Sequence, residues 1–133
     1  MKLSDIEGIG AVYENKLAKA GVRGVQSLLE KGATPKGRAA LEAATGISHK
    51  LLLEWVNHAD LYRIKGVGSE YSDLLEEAGV DTVVELAQRK PEHLFTAMLD
   101  TNKKKKLVRR PPSAKMVADW VAQAKKLPRK VQY

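Results

Sequence analysis

Two short stretches carry residues suited to holding an anion: Gly8-Ile9-Gly10, within Ile6-Glu7-Gly8-Ile9-Gly10, and Gly66-Val67-Gly68, within Ile64-Lys65-Gly66-Val67-Gly68. Glycine accepts backbone angles that other residues reach only with strain, and an apolar residue between two glycines is placed to pack inward. A tight hairpin of this composition between two helices turns backbone N–H groups outward at the start of the second helix. Those groups lack partners inside the helix, and the helix dipole favours negative charge beside them. The chemistry expected is capture of a phosphate oxygen by main-chain amides. Lys65 adds a cation to the second stretch, whereas Glu7 and Glu70 put carboxylates where they oppose an anion.

A second group is purely electrostatic. Lys103, Lys104, Lys105 and Lys106 are consecutive, and Arg109 and Arg110 follow closely. The formal charge of the 133-residue chain is +7, unevenly placed. Residues 1–61 hold eight Lys/Arg against seven Asp/Glu, residues 62–99 four against seven, and residues 100–133 eleven against two. A basic C-terminal third on a balanced body reads as a footprint for a polyanion, and the plain alternative is a solvated surface.

Composition removes most other chemistries. Cysteine is absent, which excludes disulfides and thiolate metal sites. His49, His58 and His93 are scattered without metal-ligand spacing and are expected on the surface or in turns. Periodicity places no carboxylate pair in a pocket, and no loop of P-loop type is present, so no catalytic set, metal or cofactor is expected. The start Met1-Lys2-Leu3-Ser4-Asp5 has no apolar run behind it, and no segment approaches the length of a membrane span. A cytoplasmic protein without membrane partners is the expectation.

The positioning elements come from an internal repeat. At an offset of 58, Ile6, Gly8, Gly10, Tyr13, Leu17, Ala20, Gly21, Val22, Val25 and Leu28 pair with Ile64, Gly66, Gly68, Tyr71, Leu75, Ala78, Gly79, Val80, Val83 and Leu86. Tyr13, Leu17 and Ala20, like Tyr71, Leu75 and Ala78, recur at i, i+4 and i+7 and mark one helix face, which Gly21 and Gly79 end. Thr34-Pro35 opens a further helix that Gly46 stops, and Pro91 opens its counterpart. The later halves match at an offset of 65, pairing Ser48, Lys50, Leu52, Trp55, Val56 and Ala59 with Ser113, Lys115, Val117, Trp120, Val121 and Ala124. Both serines are expected N-caps, and both tryptophans core anchors.

No stretch alternates as a strand does, so the fold expected is all-α. Two tandem repeats, 1–61 and 62–126, are packed into one compact domain, followed by a basic tail at 127–133. The second repeat carries a basic insertion near 101–112, expected as an exposed loop or frayed helix end. The tail either stays mobile or packs back on the body.

These hairpins, with an aliphatic residue two before the first glycine and Leu17 or Leu75 seven after the second, resemble helix-hairpin-helix motifs. Two in tandem resemble the paired units of DNA ligases, repair nucleases and recombination proteins, in which hairpins sit at the minor groove and hold phosphates through backbone amides. Thr45-Gly46-Ile47-Ser48 looks like a degenerate hairpin that pairs with the first. The motif usually has a small residue four after the second glycine; Ser72 satisfies this and Glu14 departs from it. Over the whole chain, with Gly-Ala-Thr-Pro-Lys-Gly-Arg, Thr-Gly-Ile-Ser, Glu54-Trp55-Val56-Asn57 and the Leu127-Pro128 ending, the sequence is similar to a family of short bacterial proteins classified only as a domain of unknown function. The resemblance also implies a monovalent cation on hairpin carbonyls as a minor alternative.

The function expected is sequence-independent binding of duplex DNA, with RNA as the substitute ligand. The residues expected to carry it are Gly8, Ile9, Gly10, Lys65, Gly66, Val67, Gly68, Lys103 to Lys106, Arg109 and Arg110. Amides read phosphate position and no base identity. Low aromatic content argues against stacking on single strands. The alternative is a protein-interaction or scaffold module, an accessory unit to a larger partner, and oligomeric state stays open.

Overall fold

Among the described residues, eight α-helices follow a 3-10 turn at Leu3–Asp5: α1 (Ala11–Lys19), α2 (Val25–Gly32), α3 (Pro35–Thr45), α4 (His49–Leu61), α5 (Ser69–Glu77), α6 (Val83–Gln88), α7 (Pro91–Lys105) and α8 (Ala114–Lys126). This is a computed structural model describing residues 2–133, and no strand occurs among the described residues. The all-α expectation holds. Hydroxyl caps start the helices where side chains predict them. Thr34 Oγ1 accepts from the Gly37 amide at 3.0 Å with Pro35 leading α3, and Ser113 Oγ accepts from Met116 at 3.1 Å. Ser48 Oγ accepts from Leu51 at 3.3 Å ahead of α4. Each cap satisfies an amide that the helix itself leaves open.

The ends of α1 and α5 are built alike. Val22 N donates to Leu17 O and Val80 N to Leu75 O, each at 2.8 Å, while Gly21 N reaches Ala18 O and Gly79 N reaches Glu76 O, each at 3.0 Å. This paired closure needs a left-handed residue just past the helix, and Gly21 and Gly79 supply it with φ of 86° and 97°. Leu17 with Val22, and Leu75 with Val80, are fully buried at the same ends.

The chain divides into two compact units, Met1–Asp60 with Lys130–Tyr133, and Leu61–Arg129. In the first, α1 and α2 pack on α3, and Leu3, Ile6, Leu17, Leu28, Leu52 and Trp55 are buried. In the second, α6 and α7 pack on α8, and α5 on α7, around Ile64, Leu74, Leu75, Leu86, Leu94, Met98, Val117 and Trp120. Both tryptophans are core residues as expected, at 1% and 2% exposure.

The structure corrects three expectations. His58, expected toward solvent, is buried at 3% exposure on α4; the apolar stripe through Trp55, Val56 and Ala59 is wider than its strict i, i+4 spacing and includes it. The basic insertion is part helix and part exposed loop: residues 101–105 belong to α7, and 106–113 are non-helical with Lys106, Arg109, Arg110 and Pro111 exposed. Thr101 to Lys105 complete α7, Lys106 caps it in a left-handed conformation (φ 51°), and Val108 and Pro112 are buried. Three lysines in the last turn of α7 also suit the negative end of its dipole. Finally, the first hairpin follows only a three-residue 3-10 turn, whereas the second follows an α-helix.

The tail packs back on the first unit. Gln132 N donates to Ala33 O at 2.7 Å, and the buried Arg38 donates through Nη2 to Gln132 O at 2.6 Å and through Nη1 to Gly32 O at 2.8 Å. Val131 is 2% exposed. Burial lowers the Arg38 pKa from its ordinary value, and nearby Tyr133 raises it in opposition.

Candidate nucleic-acid interface

Each hairpin closes on itself before it can offer anything outward. Ile9 N donates to Ile6 O, and Val67 N to Ile64 O, each at 3.1 Å, and all four side chains are buried. The Ile9 and Val67 amides are thus used inside the turn, and these residues act as supports. Only the first glycine of each triplet has a glycine-specific conformation: φ is 95° at Gly8 and 96° at Gly66. A Cβ at Gly66 would also lie 3.1 Å from Trp120 Nε1, and one at Gly8 3.2 Å from Trp55 Nε1.

Gly10 and Gly68 differ from the expectation of strained glycines in both positions. They are extended, at φ −88° and −101°, and a Cβ on either would meet no atom within 4 Å. They are the N-caps of α1 and α5, and neither helix has a side-chain cap on its first-turn amides. Those amides stay open to an outside acceptor. A bare glycine with clear space above it lets such an acceptor come close.

The second hairpin is braced from two sides. Gln123 on α8 grips the Lys65 backbone, accepting from Lys65 N at 2.9 Å and donating to Lys65 O at 3.1 Å; its amide nitrogen also reaches Asp119 Oδ2 at 2.8 Å. Tyr71 packs on Trp120 with ring centroids 5.2 Å apart and planes 54° apart, and donates its hydroxyl to Arg110 O at 2.9 Å. Asn102 holds the same loop at Val108, donating to Val108 O at 3.2 Å and accepting from Val108 N at 3.0 Å. Tyr71, Asn102 and Gln123 thus position the hairpin and the arginine loop. In the sequence Tyr71 signals only an apolar stripe, and nothing periodic marks Asn102 or Gln123.

The result is an open groove lined by Gly66, Gly68, Ser69, Glu70, Tyr71, Arg109 and Arg110. Two arginines distant in sequence stand beside the open amides of α5, and both are exposed without a protein partner for their guanidinium groups among the described residues. Glu70 is the one acid in that lining and weakens the local field. Lys65 is exposed but lines none of it, and neither do Lys103 to Lys106. Lys105 instead pairs with Glu77.

The first hairpin has no such arginine loop. Ala44 and Thr45 stand at the positions that the 65-residue offset pairs with Arg109 and Arg110, and Val12, paired with Glu70, is 68% exposed. Tyr13 and Trp55 nonetheless repeat the ring contact at 5.2 Å and 59°. The ring contact recurs where the charge does not.

Gln123→Ala removes both bonds to Lys65 and is expected to lower unfolding free energy by about 1–2 kcal/mol in urea titration. Gln123→Glu keeps the acceptor for Lys65 N but turns a carboxylate oxygen toward Lys65 O and Asp119, and is expected to be no more stable than Gln123→Ala. An unchanged midpoint for Gln123→Ala would show that the hairpin holds itself without α8.

Among the described residues no helix is long and apolar enough to cross a membrane. No curated protein and no solved structure matches the chain. The chain belongs to the family described as Domain of unknown function (DUF4332), whose family model matches residues 7–127.

Proposed function

We propose that this member of a domain-of-unknown-function family binds duplex DNA without regard to sequence, as two tandem helix-hairpin-helix repeats of which the second supplies the principal phosphate contact. One observation carries the reading: Arg109 and Arg110 line the same groove as Gly66, Gly68 and the first turn of α5. Charge-assisted bonds from guanidinium to phosphate are among the stronger polar contacts, and helix-start amides complement them. The ligand's phosphates are read by position alone, so affinity depends steeply on salt and weakly on sequence. RNA is the alternative polyanion. The lysines of the α7 end add long-range attraction within about a Debye length.

The first hairpin is the place where a protein partner would compete with this reading. Its exposed Val12, beside Gly10 and without basic neighbours from a loop, suits a partner surface better than a phosphate.

Fluorescence anisotropy with labelled duplex DNA across a salt series tests the proposal, with an acidic peptide as control. Gly68→Ala adds a methyl group in open space at a backbone conformation that alanine adopts freely. It is expected to leave the fold intact and to weaken DNA binding about fivefold or more, with an unchanged salt slope, because no charge is lost. Gly66→Ala is expected to lose about 1–3 kcal/mol of stability from its positive φ. If wild type prefers the acidic peptide, or if folded Gly68→Ala binds DNA as wild type does, the hairpin mechanism is wrong.

A further inference from the structure

The groove at the second hairpin has more room and more donors than one backbone phosphate of a duplex uses. It measures about 580 Å³, within the range of pockets that admit whole small molecules, about 300–1,000 Å³. Arg109 and Arg110 line it, and neither guanidinium has a partner among the described residues. The amides of Ser69, Glu70 and Tyr71 open α5 without a side-chain cap, and the first amide of that helix to bond internally is that of Ser72, to Gly68 O at 2.9 Å. Those amides and two guanidinium forks exceed what the free oxygens of a phosphodiester accept.

The arginines stand on a loop whose backbone is fixed on both sides of them. Ahead of them Val108 is 7% exposed, Asn102 binds both its amide and its carbonyl, and Lys106 N bonds Asn102 O at 2.7 Å. Behind them Pro112 is buried, and the Tyr71 hydroxyl holds Arg110 O. A backbone set in advance leaves less to order when a ligand arrives. Glu70 is the opposing charge in the lining, and the helix start does not require it: the equivalent position of the first repeat is Val12, and α1 starts from Gly10 as α5 does from Gly68. With Glu70 counted against both arginines the lining is still net positive, and the helix start adds about half a charge. Attraction to such a lining grows with the charge of the ligand. A phosphodiester brings a single negative charge, whereas a phosphomonoester brings about 1.5 to 2 near pH 7 and a third free oxygen.

We propose that this groove is a site for the terminal phosphomonoester of a nucleotide, carried by the end of a nucleic-acid strand or by a free nucleoside phosphate, with Arg109 and Arg110 taking its oxygens beside the start of α5. The inference rests on the reading of the groove as the phosphate contact and narrows it. Continuous duplex is held weakly along its length, and a phosphorylated end is held in preference.

Two sets of short duplexes with an internal fluorophore test this, one set varied at the 5′ ends and one at the 3′ ends. Within a set the end is a hydroxyl, a phosphate, or a phosphate blocked as its methyl ester, which keeps the phosphorus and removes the second charge. In at least one set, anisotropy is expected to find the phosphate duplex bound about tenfold tighter than the other two. The preference is expected to vanish in Arg109→Gln with Arg110→Gln, whose exposed positions leave circular dichroism unchanged. Glu70→Gln is expected to widen it to about thirtyfold, since the more charged ligand gains more from losing the carboxylate. Displacement of the phosphate duplex by 2′-deoxyadenosine 3′,5′-bisphosphate within about tenfold of the duplex Kd assigns the groove to free nucleotides, and weaker displacement assigns it to strand ends. Equal binding throughout both sets, or a preference that survives loss of both arginines, overturns the inference while salt-dependent duplex binding still stands. If no duplex binds, the duplex reading fails; the inference then holds if calorimetry finds the bisphosphate bound by wild type and not by the double arginine variant, and is overturned if it does not.

Discussion

Reversing both groove arginines, Arg109→Glu with Arg110→Glu, is expected to lower affinity for duplex DNA about 100-fold at moderate salt. Each guanidinium that contacts a phosphate contributes about 1.5–3 kcal/mol, and each introduced carboxylate repels the same group. The two lost contacts also make the plot of log affinity against log salt shallower by about 1.8. The control is Lys103→Glu with Lys104→Glu, which changes net charge by the same amount on the exposed end of α7, outside the groove lining. Screening over about 8 Å at physiological salt reduces that pair to a loss of several-fold. Equal losses from the two pairs would mean that attraction is diffuse and that the groove is no site. Circular dichroism should be unchanged in both, because all four side chains are exposed.

Trp120→Ala is expected to lower unfolding free energy by about 3–5 kcal/mol, measured by urea denaturation. Trp120 is 2% exposed, packs on Tyr71, and has its indole nitrogen just below the Gly66 backbone. Removal empties the space under the second hairpin and releases the ring whose hydroxyl holds Arg110 O. Trp120→Phe, which refills most of that volume, is expected to recover more than half of the loss. DNA binding should follow the same order under the proposed reading, since the hairpin and the arginine loop share this support. A stable Trp120→Ala protein would show that Tyr71 and Gln123 suffice to brace the hairpin.

Much of the helical framework is legible without coordinates because its determinants are local. Thr34-Pro35, Ser48, Ser113, Gly21, Gly46 and Gly79 act on the backbone within four residues of themselves, and they start or stop helices where their types predict. The stripes that bury Leu17, Leu75, Trp55 and Trp120 follow from helical period and the cost of leaving apolar surface in water. Local rules also name the first glycine of each triplet as a turn residue.

Packing settles what those local rules do not reach. The tail's return to Arg38, the grip of Gln123 on Lys65, and the seating of Arg109 and Arg110 beside Gly66 and Gly68 join residues between 39 and 94 apart in sequence. A run of lysines and arginines carries charge but no direction. Asn102, Val108 and Tyr71 supply the direction, turning two arginines toward the hairpin while four lysines remain at the helix end. His58 is hidden for the same reason: burial depends on how much surface a neighbouring element covers, and a residue at the edge of an apolar stripe has no local mark of it. Short-range sterics and periodic burial set the helices and their inward faces, whereas the candidate site depends on side-chain bonds across long chain separations, which packing alone selects.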